Sequence, residues 1–215
     1  MEKKKFTLKD YQAILFDFDG VLAESTNIKT EAFAYLFEKF GEEIVKKVVD
    51  HHIKNGGISR YKKIKYYYEQ YLNRKITDEE INELAKIFSN FVVEKVIDSE
   101  WVSGVKDFLN KSYGNIDLYV VSGTPQKELE IINEKRKMLN FFNGVYGTPE
   151  TKPDIINRLI MEHSYDPQKV LYIGDSLSDY KDAKEAGVKF LGRVPRGEQS
   201  IFPDNVEYIS DFNDI

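Results

Sequence analysis

Hydrophobic and polar residues follow two different rhythms along this chain. The run Ala13-Ile14-Leu15-Phe16 is continuously apolar and passes directly into Asp17-Phe18-Asp19-Gly20. A short apolar run closed by turn residues reads as a strand buried on both faces. From residue 24 to 99 the spacing changes to that of helices. Ile28, Ala32, Phe33, Leu36, Phe37 and Phe40 recur at helical intervals, with Gly41 as a C-cap, and Ile44, Val45, Val48 and Val49 continue the pattern. Gly56-Gly57 interrupts it, and Ser59 is placed to cap a helix through Tyr71 that Asn73 stops. Thr77 and Glu80 form a capping box ahead of a long helix carrying Ile81, Leu84, Phe88, Phe91, Val92 and Val96.

From Trp101 onward, strands and helices alternate. Helical stretches are expected over Gly104–Lys111, from Pro125 to Met138, from Lys152-Pro153 to His163, and from Asp179 to Ala186. Strands are expected at Ile116–Val121, Gly144–Gly147, Val170–Gly174 and Val188–Leu191, with a short edge strand at Val206–Ile209. This alternation implies an α/β fold built on a doubly wound parallel sheet. The helical stretch interrupts it, so the expected organisation is a core of residues 1–23 and 100–215 with an inserted all-helical domain, 24–99.

Composition narrows the setting. The chain has 215 residues, a net charge of −5 and no cysteine. The acidic balance argues against a nucleic-acid surface. Without thiolates, any metal must take oxygen or imidazole ligands. No apolar run approaches the roughly 20 residues of a membrane span. The basic start is not followed by the apolar region of a secretory signal. A cytoplasmic protein is expected, its oligomeric state open with a monomer favoured.

The polar residues at the predicted strand ends carry the candidate chemistry, because ligands of open α/β sheets bind outside the carboxyl ends of the strands. Asp17 and Asp19 follow the first strand, Ser122-Gly123-Thr124 the second, Lys152 the third, and Asp175, Ser176 and Asp179 the fourth. Converging carboxylates are costly to desolvate unless a cation joins them, and Mg²⁺ is the hard ion that suits oxygen ligands. Ser122, the Gly123 amide and Lys152 suit phosphate oxygens. Taken singly, each has a plainer use as a turn, a cap or a solvated lysine. Their coincidence at four successive strand ends is what points to a carboxylate nucleophile attacking phosphorus.

Asp17-Phe18-Asp19-Gly20-Val21, Val121-Ser122-Gly123-Thr124, Lys152-Pro153 and Gly174-Asp175-Ser176-Leu177-Ser178-Asp179 resemble the four ordered motifs of the haloacid dehalogenase superfamily, from about Ala13 to Arg193. The helical insertion resembles the C1-type cap of its phosphatase and phosphosugar mutase members. The resemblance implies Asp17 as nucleophile, Asp19 as general acid and base, and Ser122 and Lys152 as phosphoryl-binding groups. It implies Mg²⁺ held by Asp17, the Asp19 carbonyl and Asp175, with Asp179 in support directly or through water. Dehalogenases lack the second aspartate of the first motif, so Asp19 favours phosphate chemistry on a small phosphorylated metabolite. The alternatives are a phosphosugar mutase and, from another class, a phospho-accepting signalling or binding domain. The Schiff-base lysine of phosphonate-cleaving members cannot be assigned among Lys54, Lys62, Lys63 and Lys65. Gly56-Gly57-Ile58-Ser59-Arg60 resembles a cap segment whose arginine reaches substrate, against the plainer reading of a helix start with an exposed arginine. His51, His52 and Asn55 lie nearby in sequence, and Tyr66, Tyr67, Tyr68 and Tyr71 are expected to pack between helices.

Overall fold

The computed structural model describes residues 8–55 and 58–215, so the Gly56-Gly57 break lies outside the described residues. The chain divides into two compact units, one formed by the chain up to Glu24 together with Ser99–Ile215, the other by Ser25–Asp98.

The first unit is built on a six-stranded sheet. Strands β1 (Ala13–Phe16), β2 (Asp117–Pro125), β3 (Gly144–Thr148), β4 (Val170–Gly174), β5 (Lys189–Arg193) and β6 (Tyr208–Ile209) lie in the order β3-β2-β1-β4-β5-β6. Every pairing is parallel. The apolar runs form these strands because both faces are covered. On one face Leu15, Tyr119, Val121 and Tyr172 pack with Ile155, Ile156 and Leu159 of α7 (Lys152–His163) and Ala183 of α8 (Leu177–Glu185). On the other, the buried Phe16 ring meets Phe108 of α5 (Val105–Ser112) at 6.2 Å, Phe142 at 6.1 Å and Phe212 at 6.2 Å. The chain winds outward from β1 in one direction through β2 and β3 and in the other through β4, β5 and β6. The switch point between β1 and β4 opens a crevice at their carboxyl ends. Register aligns Phe16 with both Val120 and Ile173, so Asp17 leaves the sheet level with the end of β4, while β2 runs on beside it.

Several boundaries differ from the sequence reading: β5 runs on to Arg193 rather than ending at Leu191, β6 is confined to Tyr208–Ile209, and three others bear on the site. Strand β2 does not end at Val121 but runs on through Ser122-Gly123-Thr124-Pro125, with its register against β3 shifted between Val121 and Pro125. Gly147 permits that pairing, because a Cβ there would overlap the Thr124 carbonyl. Helix α6 (Gln126–Lys135) stops short of Met138, since Lys137 turns to a φ of +57°. Helix α8 starts at Leu177 rather than Asp179, because Ser176 caps it and Asp179 completes the cap from inside the first turn.

Helices are the regular elements of the second unit among its described residues: α1 (Ile28–Phe37), α2 (Glu42–Lys54), α3 (Arg60–Gln70) and α4 (Asp78–Asp98). Ser59 caps α3, and the Thr77–Glu80 box caps α4 with reciprocal bonds of 2.8 and 3.2 Å. Phe33 centres the packing, 5.7 Å from the Tyr67 ring and 4.6 Å from Phe88. The tyrosines pack as the sequence reading expects, Tyr67 against Phe37 and Tyr71, and Tyr68 against Phe37 and Phe40. No described helix is long and apolar enough to cross a membrane.

The three-ring contact under Phe16 makes this residue a keystone of its face. Phe16→Ala is expected to cost about 3–5 kcal/mol of stability, read as a lowered urea midpoint at unchanged slope. An unmoved midpoint would contradict the packing described.

Candidate functional site

Strand β1 delivers Asp17 to the crevice. Its N–H donates to the Ile173 carbonyl at 2.9 Å, which ties the residue to β4, and only 8% of it is exposed. The chain then turns sharply. The Phe18 carbonyl accepts from the N–H groups of Val21, Leu22 and Ala23, and Gly20 adopts the left-handed φ of +75° that the turn requires. Asp19 stands on this turn, its carboxylate accepting from Thr124 Oγ1 at 3.3 Å. Ser122, buried in the last part of β2, accepts the Thr124 N–H at 3.2 Å, while Gly123 is exposed.

Lys152 opens α7, whose N-terminus Thr151 caps. An ammonium in a first helical turn opposes the helix dipole. Here it is offset by two carboxylates: Lys152 Nζ lies 3.0 Å from Asp17 Oδ1 and donates to Asp179 Oδ1. Asp179 is wholly buried, and both its oxygens are engaged. Oδ2 accepts from the Ser176 N–H at 3.1 Å and its hydroxyl at 2.6 Å. Oδ1 lies 3.2 Å from the Tyr172 hydroxyl, which is also 2.9 Å from the Val121 carbonyl. Gly174 makes room for this carboxylate, since a Cβ there would overlap Asp179 Cβ. Asp175, partly exposed, completes the group: one carboxylate oxygen from each of Asp17, Asp175 and Asp179 lies within 4.8 Å of the others.

The charges do not balance. Burial, and after it the neighbouring Asp179 and Asp19, push Asp17 up to about 6 despite Lys152. Burial and then Asp17 and Asp179 hold Asp175 well above the usual carboxylate range. Asp179 goes the other way: its burial is outweighed by the Lys152 ion pair and the Ser176 hydrogen bonds. Lys152, although buried, is held well above its ordinary value by Asp17, Tyr172 and Asp179. One ammonium thus leaves a surplus of negative charge on hard oxygen donors. That donor set fits a divalent hard cation, with Asp17 and Asp175 as the carboxylates that carry the surplus.

The structure therefore brings Asp17, Lys152, Asp175 and Asp179 together and sets Asp19 beside Ser122 through Thr124. Arg60 belongs to the helical unit. It is half-buried there, donates to Ser89 Oγ and lies 4.8 Å over the Phe88 ring. His51 pairs with the Tyr67 hydroxyl at 3.2 Å, His52 with Lys63 Nζ at 2.9 Å, and Asn55 with the His51 carbonyl. Sequence reasoning missed Tyr172, Arg193 and Glu24. Tyr172 was hidden as one of several large residues in a buried strand. Arg193 had a faint signal, a cation closing the apolar run Val188–Leu191.

The family profile described as haloacid dehalogenase-like hydrolase matches residues 14–193. A phosphoglycolate phosphatase of Pseudomonas putida is 31% identical over 96 residues, which are 41% of this chain and 35% of that protein. The chain thus spans about a third of that relative's length. An enolase-phosphatase E1 of Persephonella marina is 23% identical over 92% of this chain and 94% of its own. The crystal structure of CbbY from Rhodobacter sphaeroides in complex with xylulose-(1,5)bisphosphate shares the fold, with a TM-score of 0.69 and 19% identity over 94% of this chain and 95% of that one.

The surplus charge has a consequence for stability. Asp17 and Asp175 stand above the unfolded carboxylate value of about 4, so folding disfavours their ionised forms. The cost is absent below that value and grows as the pH climbs through the folded values. Asp175→Asn is expected to raise the melting temperature of the chelator-treated protein at pH 7.5, by about 2–4 °C for each kcal/mol relieved. The gain should shrink toward pH 5. A variant no more stable than wild type at the higher pH would refute the surplus.

Proposed function

This chain belongs to the haloacid dehalogenase-like hydrolase family, and on that premise we propose that it is a Mg²⁺-dependent phosphatase of small phosphate monoesters, phosphosugars among them. The observation that carries the proposal is the paired geometry of Asp17: a buried carboxylate 3.0 Å from the Lys152 ammonium, with Asp19 two residues on. Asp17 is the nucleophile. Its carboxylate oxygen attacks phosphorus, the ester P–O bond breaks, and the leaving oxygen takes a proton from Asp19. Asp19, now ionised, removes a proton from water, which attacks the aspartyl phosphate. The bond from phosphorus to Asp17 then breaks, and inorganic phosphate is released.

The other residues support charge and position. Lys152 faces a phosphoryl oxygen while holding Asp17, and Ser122 and the Gly123 amide supply further donors. Asp179 is a positioning residue, because both its oxygens are committed to Lys152, Tyr172 and Ser176. Mg²⁺ would be held by Asp17, the Asp19 carbonyl and Asp175, with Asp179 in support, and when bound it neutralises charge on the phosphoryl oxygens. The substrate class draws on the relatives: two are phosphatases by name, and CbbY was crystallised with a sugar bisphosphate.

A screen of phosphorylated metabolites for phosphate release tests the proposal. Asp17→Asn should abolish turnover while leaving the fold intact. Asp19→Asn should lose about 10²–10⁴-fold, the usual contribution of a placed acid–base group. Excess chelator should stop the reaction. Near-normal release by the Asp17 variant, or full activity in chelator, would overturn the mechanism.

We propose further that the helical unit, inserted in the chain six residues after Asp19, acts as a cap that selects the substrate, with Arg60 as its contact. Arg60→Ala is expected to lower kcat/KM for the best metabolite by about 10- to 100-fold, the size of one lost charged hydrogen bond. Hydrolysis of p-nitrophenyl phosphate, which offers a selective contact little to hold, should barely change. Equal losses on both substrates would leave Arg60 only the packing role its contacts with Ser89 and Phe88 describe.

A further inference from the structure

The last residue of β5 is a buried cation that neither the metal nor the phosphoryl group employs. Arg193 is 5% exposed. Its guanidinium grips Glu24 with both arms, at 3.0 and 2.6 Å, and donates to the Gly20 carbonyl at 3.3 Å and, through Nε, to the Ser210 carbonyl at 3.1 Å. A planar fork satisfied in this way fixes direction as well as distance.

What it grips matters. Gly20 follows Asp19 directly, and its N–H closes the turn by donating to the Ala23 carbonyl at 2.8 Å. Asp19 and Ala23 form a β-bridge across the same turn. Beyond it, the returning chain pairs alongside. Ala23 bridges to Trp101, the Glu24 N–H donates to the Glu100 carbonyl at 2.9 Å, and Val102 donates to Leu22 at 3.2 Å. Trp101 lies between two cations, 4.8 Å from Lys106 Nζ and 5.1 Å from the Arg136 guanidinium, and Arg136 also donates to the Ser99 carbonyl at 2.7 Å. The turn that bears Asp19 is therefore tied down where it begins, by Asp17 on β4, and where it ends, by Arg193 on Glu24.

We propose that Arg193, acting through Glu24 and the Gly20 carbonyl, is a positioning residue for the proton-transfer step, holding the Asp19–Gly20 peptide so that the Asp19 carboxyl is aimed at the leaving oxygen. This rests on the phosphatase reading above. The physical reason is reach. A proton is passed only over hydrogen-bond distance, and a displacement of about 1 Å costs about 10²-fold. The backbone bonds of the turn and its pairing with Glu100–Val102 hold its path, and the Arg193 fork adds the side-chain tie on the Gly20 carbonyl, the peptide next to Asp19.

The leaving group separates positioning from a merely structural role. An alkoxide must be protonated as it departs, whereas p-nitrophenolate departs without help. Wild type, Arg193→Lys and Glu24→Gln are compared on the best alkyl phosphate from the metabolite screen and on p-nitrophenyl phosphate, at saturating Mg²⁺. Lysine keeps the charge but lacks the fork, so it holds Glu24 or the Gly20 carbonyl and not both. The expected result is a fall in kcat/KM, which reports the steps up to the aspartyl phosphate and not its common hydrolysis, of about 10- to 100-fold on the alkyl ester but under about threefold on the nitrophenyl ester. Glu24→Gln, at a half-exposed side chain that should fold in any case, should show the same split in smaller measure, and it decides the matter alone if the lysine variant does not fold. Equal falls on the two esters, or none, would overturn the positioning role and leave the phosphatase reading standing. A wild type inert toward every phosphate ester would overturn both.

Discussion

One ammonium among converging carboxylates governs the end of this sheet. Lys152 is buried against Asp17 and Asp179, and Asp175 adds a third carboxylate within reach of those two. Such a group would be ruinous in an ordinary core, where unpaired charge is expensive to desolvate. It persists because the sheet ends there. Strands β1 and β4 stop level, helices α7 and α8 start there, and the Ser176 N–H at the cap of α8 donates to Asp179. Ser176 and Asp179 cap α8 with each other, so one acidic residue is neutralised by local backbone and side-chain donors as well as by the Lys152 ammonium.

That division decides which carboxylates remain available. Asp179 spends both oxygens on Lys152, Tyr172 and Ser176 and is held below the usual carboxylate range. At Asp17 and Asp175 burial outweighs the neighbouring Lys152 cation and pushes both upward. An ion pair that fixes the lysine thus produces the surplus charge that a hard cation would relieve. The same arrangement fixes the Lys152 ammonium between Asp17 and Asp179. Stability is given up locally for a preorganised electrostatic field.

A second clamp acts on the backbone rather than on charge. The Arg193 fork joins β5 to the Gly20 carbonyl and Glu24, across more than 160 residues of sequence. With the Phe18 carbonyl accepting three amides, it leaves the turn after Asp17 little freedom. Two arginines, Arg193 and Arg136, hold the chain on either side of the ribbon formed by Leu22–Glu24 and Glu100–Val102.

Local rules made much of this legible. Strands buried on both faces must be apolar, so β1 and β4 stood out as unbroken runs, and the alternation of strand and helix implied a parallel doubly wound sheet. The Asp-Gly turn and the Thr77–Glu80 box are local hydrogen-bond chemistry and are written in adjacent residues. Where pairing partners decide, local reading stopped short. Strand β2 runs past Val121 because β3, with Gly147 bare of a side chain, can lie against it. The sequence by itself determined where β1 and β4 lie and therefore that Asp17, Asp175 and Asp179 share one edge of the sheet. Only the tertiary structure decided how they divide the work: that Asp179 is consumed by Lys152 and Tyr172, that Asp17 and Asp175 carry the surplus, and that Arg193 reaches back to Gly20. Those are contacts between residues far apart in the chain. Their energies depend on distance and burial, which periodicity does not encode.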